Sequence, residues 1–171
     1  SNKDRQHSGR IDGKDLPNRE RHAGMIFFND EGDECGGLIF GVTDENGVKN
    51  NGMSLTFDQY KHDQVIQILN NEMIREGKMQ KLRGFMINDY PENSNFNETM
   101  KAMKEAEQIE DKIERRKRIM EIQNEGGARP LVFLGKSRDG LNGLFLNDAE
   151  GNPKLMIYVD KEGNPKIQTF T

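Results

Sequence analysis

Short apolar runs bounded by polar turn residues recur about every ten residues from Gly24 onward. Met25-Ile26-Phe27-Phe28 enters an acidic turn at 29–34, and Leu38-Ile39-Phe40-Gly41-Val42 returns from it. Asp44-Glu45-Asn46-Gly47 reads as the next turn, ahead of Met53-Ser54-Leu55-Thr56-Phe57. Val65-Ile66-Gln67-Ile68-Leu69 follows, Asn70-Asn71 and Glu76-Gly77-Lys78 read as further turns, and residues 82–87 read as a strand. The pattern resumes after Gly127 in residues 131–134, 144–146, 155–159 and 167–170. This rhythm predicts roughly nine strands in a mainly β, β-rich α+β chain, an antiparallel meander closing into a barrel or a sandwich.

Several strands are apolar on both sides. In Leu155-Met156-Ile157-Tyr158-Val159 the odd positions face one way and the even positions the other. A half-exposed sheet does not need this, so a second sheet, a helix or another subunit is expected to cover the second face. One long helical insertion is predicted at about 95–125, with Asn97 as N-cap, Met100, Met103, Ala106, Ile109 and Ile113 at helical spacing, and Gly126-Gly127 as the stop. Residues 1–23 are polar and read as an N-terminal arm, leaving residues 24–171 as a single β domain.

The last third of the chain repeats one unit. Asp148-Ala149-Glu150-Gly151-Asn152-Pro153-Lys154-Leu155 is followed by Asp160-Lys161-Glu162-Gly163-Asn164-Pro165-Lys166-Ile167. Asp followed three positions later by Gly is the mark of a type I turn closed by a glycine at positive φ, and the Pro that follows suits strand entry. Gly163→Val is therefore expected to destabilise the domain.

Composition narrows the function classes. The net charge of −4 with mixed signs disfavours a nucleic-acid partner, which needs a basic surface. The single Cys35 excludes an internal disulfide and a cysteine-rich zinc site. No stretch is long and apolar enough to span a bilayer, and no signal-peptide pattern is read.

Candidate chemistry is sparse. Asp30, Glu31, Asp33 and Glu34 crowd one turn, but the calcium-loop spacing is missing and Asp is what such turns want, so no metal site is expected. Asp58, Tyr60 and His62 would share a face if that stretch were extended, putting a carboxylate, a phenol and an imidazole together for acid–base work or ligand binding; exposed polar residues at a hairpin end are the alternative. No catalytic set is legible beyond that, and neither a Walker nor a dinucleotide fingerprint is present, so no cofactor is expected. The run Arg115-Arg116-Lys117-Arg118 lies among acids and reads as a solvated helix face.

Residues 23–40, which include Phe27-Phe28-Asn29-Asp30-Glu31-Gly32-Asp33-Glu34-Cys35-Gly36-Gly37-Leu38-Ile39-Phe40, form a distinctive stretch. So do Ser54-Leu55-Thr56-Phe57-Asp58-Gln59-Tyr60 and the repeated Asp-x-x-Gly-x-Pro turns. Together they resemble a group of bacterial proteins of no assigned activity that carry an N-terminal hydrophobic segment. The resemblance covers nearly the whole chain and departs from the group in the long Met- and Lys-rich helix. It implies a β-rich domain, with export or membrane tethering through a segment that this chain does not contain. The function expected is a non-catalytic binding or scaffold module, with a second copy of the chain as partner. The alternative is a small-ligand-binding protein or enzyme using the Asp58, Tyr60 and His62 face.

Overall fold

The computed structural model describes residues 9–16 and 22–171. A two-stranded hairpin, β1 (Arg10–Ile11) and β2 (Lys14–Asp15), precedes the main sheet. The sheet contains β3 (Ala23–Phe28), β4 (Glu34–Glu45), β5 (Val48–Asp58), β6 (Gln64–Arg75), β7 (Lys78–Asp89), β8 (Arg129–Lys136), β9 (Asn142–Asn147), β10 (Pro153–Val159) and β11 (Pro165–Thr169). Its spatial order is its chain order, and every pairing is antiparallel. The expected meander is therefore present. It does not close into a barrel: the arrangement is sandwich-like and open, with β3 and β11 as its edges.

Two kinds of corner build this ribbon. Asn46-Gly47 and Glu76-Gly77 are two-residue connections with both residues at positive φ, the twist-matched hairpin turn. The corner at Asn46 thus differs from the bulged turn expected there. Asn70-Asn71 is not a corner at all but lies inside β6. Polar residues are tolerated mid-strand because they pair across strands. Arg83 Nε donates to Asn70 Oδ1 at 2.6 Å, Asn51 Nδ2 donates to Glu72 Oε2 at 3.1 Å, and Arg83 also meets Glu72.

The other corners share one frame. At Asn29, Ser137, Asp148 and Asp160 the first residue exchanges backbone hydrogen bonds with the fourth and fifth, at 2.8 to 3.1 Å. Its side-chain oxygen also accepts from backbone N–H groups within the turn. The two repeated turns therefore have the predicted construction. Their Asp oxygens are occupied by Glu150 and Asn152, and by Glu162 and Asn164, which hold both carboxyls below their ordinary range.

The helical insertion stands between β7 and β8, as expected, and is divided. Helix α1 (Phe96–Glu107) is capped by Asn95 rather than Asn97, and α2 (Lys112–Gly126) is capped by Asp111. The Asp111 carboxylate accepts from Ile113 and Glu114 N–H at 2.9 and 2.8 Å, which starts a new helix where one continuous helix was expected. The two helices pack on each other, with Gly126 against Thr99.

Among the described residues the buried apolar side chains are Ile11, Ala106 and Ile122. None of them belongs to the nine-stranded sheet. The register explains what the sheet does instead. One row on one face runs through Met25, Leu38, Leu55 and Ile68 in β3 to β6. Phe85, Leu134, Leu144, Ile157 and Ile167 continue it from β7 to β11. Every strand of the sheet contributes a large apolar side chain to this row. The next row on that face, from Phe27 to Thr169, is broken only by Gly36 and Thr169 itself.

The opposite face is different. Its rows hold Gly37, Thr56 and Gln67 at one side and an aromatic cluster at the other, with Phe133, Phe145 and Tyr158 rings 5.7 and 6.4 Å apart in succession. Gly84, Gly135 and Gly143 form a side-chain-free stripe there, where added Cβ atoms would run into neighbouring backbone.

Candidate functional site

Asp58, Tyr60 and His62 lie at the β5–β6 corner, at the same end of the sheet as the β3–β4 corner and α1. They do not share a strand face. The chain leaves β5 at Asp58 through a register shift, then turns: Gln59 N–H bonds Asp63 O at 3.0 Å and His62 N–H bonds Gln59 O at 2.9 Å. The backbone hydrogen bonds are those of the other corners, but the left-handed residue is the third, Lys61 at φ 56°, where they have a glycine at the fourth. The turn points Tyr60 outward, 63% exposed, and His62 inward, 4% exposed.

Tyr60, Lys61 and His62 at this corner each engage a neighbouring element. The Tyr60 hydroxyl donates to the Glu31 carboxylate at 3.0 to 3.1 Å, and that bond raises its pKa. Lys61 pairs with Asp12 at 3.1 Å. Asp33 is buried and accepts Gly13 N–H at 2.9 Å. Asn97 Nδ2 donates to Ile11 O at 3.3 Å. These ties fasten the β1–β2 hairpin to two corners and to α1. The hairpin occupies part of the expected polar arm, whose residues 1–8 and 17–21 lie outside the described residues.

His62 sits at the centre of the fastening. The Tyr90 ring lies against it, tilted by 37° at 3.8 Å, and Phe96 meets it edge-on at 5.9 Å. Nδ1 accepts Asp63 N–H at 2.9 Å, so Nε2 carries the proton and donates to Ser94 Oγ, 3.0 Å away. A serine nucleophile needs the opposite polarity, with an unprotonated nitrogen accepting from the hydroxyl. Burial lowers the His62 pKa, against a smaller opposing effect of Asp63. Burial also raises the Tyr90 phenol well above its ordinary value, with the charges of Asp63 and Asp58 adding to it. The polar groups here act as a clasp. Ser94 and Tyr90 belong to it although nothing in their sequence spacing marks them.

Among the described residues the other histidine, the cysteine and the arginines are dispersed. The His22 ring lies over Gly41 on the aromatic-cluster face of the sheet, and Cys35 is half-buried in β4. Arg10 faces Asp15 and donates to Gly13 O, while Arg5, Arg19, Arg21 and His7 lie outside the described residues. On α2, Arg118 pairs with Glu121 at 3.1 Å and Arg115 closes the end of α1 by donating to Ile109 O at 3.1 Å.

The apolar face carries a different kind of chemistry. Phe27, Phe57, Ile68, Leu134 and Ile167 on it are 46, 50, 53, 53 and 75% exposed. Met25, Phe40, Met53, Ile157 and Val159 on the same face are exposed as well, whereas the large apolar residues of the opposite face are half-buried apart from Phe28, which is exposed at the end of β3. Monomeric domains seldom leave a contiguous apolar surface of this extent open, and such surfaces mark interaction sites. No family model, curated protein or solved structure matches the chain.

Proposed function

We propose that this chain is a non-catalytic binding or scaffold module whose working surface is the apolar face of its sheet. The observation that carries the reading is how its polar and apolar groups are employed. Asp58, Tyr60 and His62 were the residues whose chemistry suited catalysis. Two of them are spent on tying corners together, Tyr60 to Glu31 and His62 to Ser94 and Asp63. The apolar row from Met25 to Ile167 meanwhile faces outward across the sheet. Against the competing reading, an enzyme or small-ligand binder at the β5–β6 corner, His62 in this tautomer does not offer an accepting nitrogen to Ser94 and so does not serve it as a base. The resemblance in residues 23–40 and 54–60 supports placing the module at the cell envelope, held by a hydrophobic segment outside these residues. Fractionation of cells producing the intact gene product tests that placement.

Amide-resolved NMR with a library of small ligands tests the functional reading. Binding-module function predicts no saturable shifts centred on Asp58, Tyr60 and His62. Ligand-induced shifts clustered there, or a turnover lost in His62→Asn, would overturn it.

A further inference from the structure

We propose that the occupant of the apolar face is a second copy of this chain, docked sheet against sheet. This rests on the binding-module reading and names its partner. The accessible surface supplies the first argument. The chain of 19.6 kDa exposes 11807 Å². A folded monomer of this mass exposes about 8,600 Å², so the excess is about 3,200 Å². Counting residues 1–8 and 17–21 as fully extended chain still leaves an excess of about 1,500 Å². Obligate homo-oligomers bury on the order of 1,000–2,500 Å² per subunit, which matches.

The nature of the partner follows from three further observations. First, no apolar side chain of the sheet is fully buried among the described residues, so the sheet lacks an interior of its own. A fold of that kind needs its cover whenever it is folded, and another copy is always present in fixed proportion. Second, residues 1–8 and 17–21 contain no side chain more apolar than Pro17, so they hold nothing to lay over a row of nine strands. Third, the charged margin of this face carries both signs, Asp44 and Glu72 among Lys49, Lys81 and Arg83, and Glu72 already pairs with Arg83. Such a margin complements its own copy and offers no single-sign field to a polyanion. A lipid surface is disfavoured because β3 and β11 are open edges whose backbone groups would lie unpaired in hydrocarbon.

Methionine oxidation with dilute peroxide, read by peptide mass spectrometry, tests this on the unaltered protein. Met25 on the face and Met120 on α2 are 55 and 54% exposed in the single chain. Docking of a second copy predicts that Met25 oxidises several-fold more slowly than Met120, that the two rates converge in denaturant, and that light scattering gives a multiple of 19.6 kDa. A 19.6 kDa species overturns the proposal whether Met25 is protected or not. A larger species in which Met25 and Met120 oxidise alike overturns it too, since association would then use another surface. A 19.6 kDa chain that captures a different protein through this face would sink the second copy and leave the binding-module reading standing. Catalysis dependent on His62 in an oligomer with Met25 protected would do the reverse.

Discussion

Two glycine substitutions separate the effect of a turn from the effect of close strand contact. Gly163 closes the last corner at φ 89°, and a Cβ added there meets open space. Gly135 lies inside β8 at φ 154°, where an added Cβ falls well within contact distance of the Arg83 carbonyl oxygen and of the Gly84 backbone. For Gly163→Ala the left-handed conformation costs about 1–2 kcal/mol. Reduced freedom of the unfolded chain offsets about 0.4–1 kcal/mol of that, so the net loss is about 1 kcal/mol. Gly135→Ala combines backbone strain of about 1–3 kcal/mol with overpacking of about 1–3 kcal/mol, a total near 4 kcal/mol. At about 2–4 °C per kcal/mol for a chain of this size, the melting temperature should fall by about 2–4 °C in the first variant and by about 8–16 °C in the second. Gly163→Val should exceed Gly163→Ala because a β-branched residue tolerates positive φ least. Circular dichroism melts at one protein concentration measure all of these. Equal losses for Gly163→Ala and Gly135→Ala, or an unchanged Gly135→Ala, would refute the reasoning about strand contact.

Stability should also depend on pH in two windows. The folded His62 pKa is lowered, so between that value and the ordinary 6.5 the unfolded chain binds more protons. Its contribution is complete above pH 6.5 and is lost as pH falls through the lowered value; His62→Asn should flatten this slope in urea titrations. The lowered carboxyls of Glu72, Asp148 and Asp160 give a second loss, confined to pH below their ordinary values of 4.5 and 3.8. Thr56→Val should cost about 1–3 kcal/mol, because the buried Thr56 hydroxyl bonds both Gly37 N–H and Gly37 O and both bonds are lost. A chemical-denaturation midpoint unchanged in that variant would show the hydroxyl to be dispensable.

The parts of this fold legible in the sequence are those set by local chemistry. The Asp148 and Asp160 corners were readable because Asp and Gly meet fixed demands within a few residues. The meander followed from the spacing of such corners, and the place of the helices from their periodicity. What was hidden depends on partners distant in the chain. Asn70-Asn71 looks like a turn until Arg83 appears across the ladder to bond Asn70. Asp111 looked like one charge inside a helix, yet its side chain caps a new one. Tyr60 and His62 seemed to share a face because alternation was assumed where the chain in fact turns, sending one out and one in. The apolar row was the largest thing missed as a unit. Alternation within each strand was visible, but joining nine strands into one row needs the register, and the register depends on whether each corner is a two-residue turn or a longer one.

Neighbouring positions on β6 give the most direct test of the central claim, that the apolar face of this sheet docks on a second copy of the chain. Ile68 belongs to the apolar row and Gln67 to the opposite face. Light scattering of Ile68→Glu and Gln67→Glu should give the single-chain mass of 19.6 kDa for the first and the mass of the unaltered assembly for the second. Both variants retaining the mass of the unaltered protein would contradict the account.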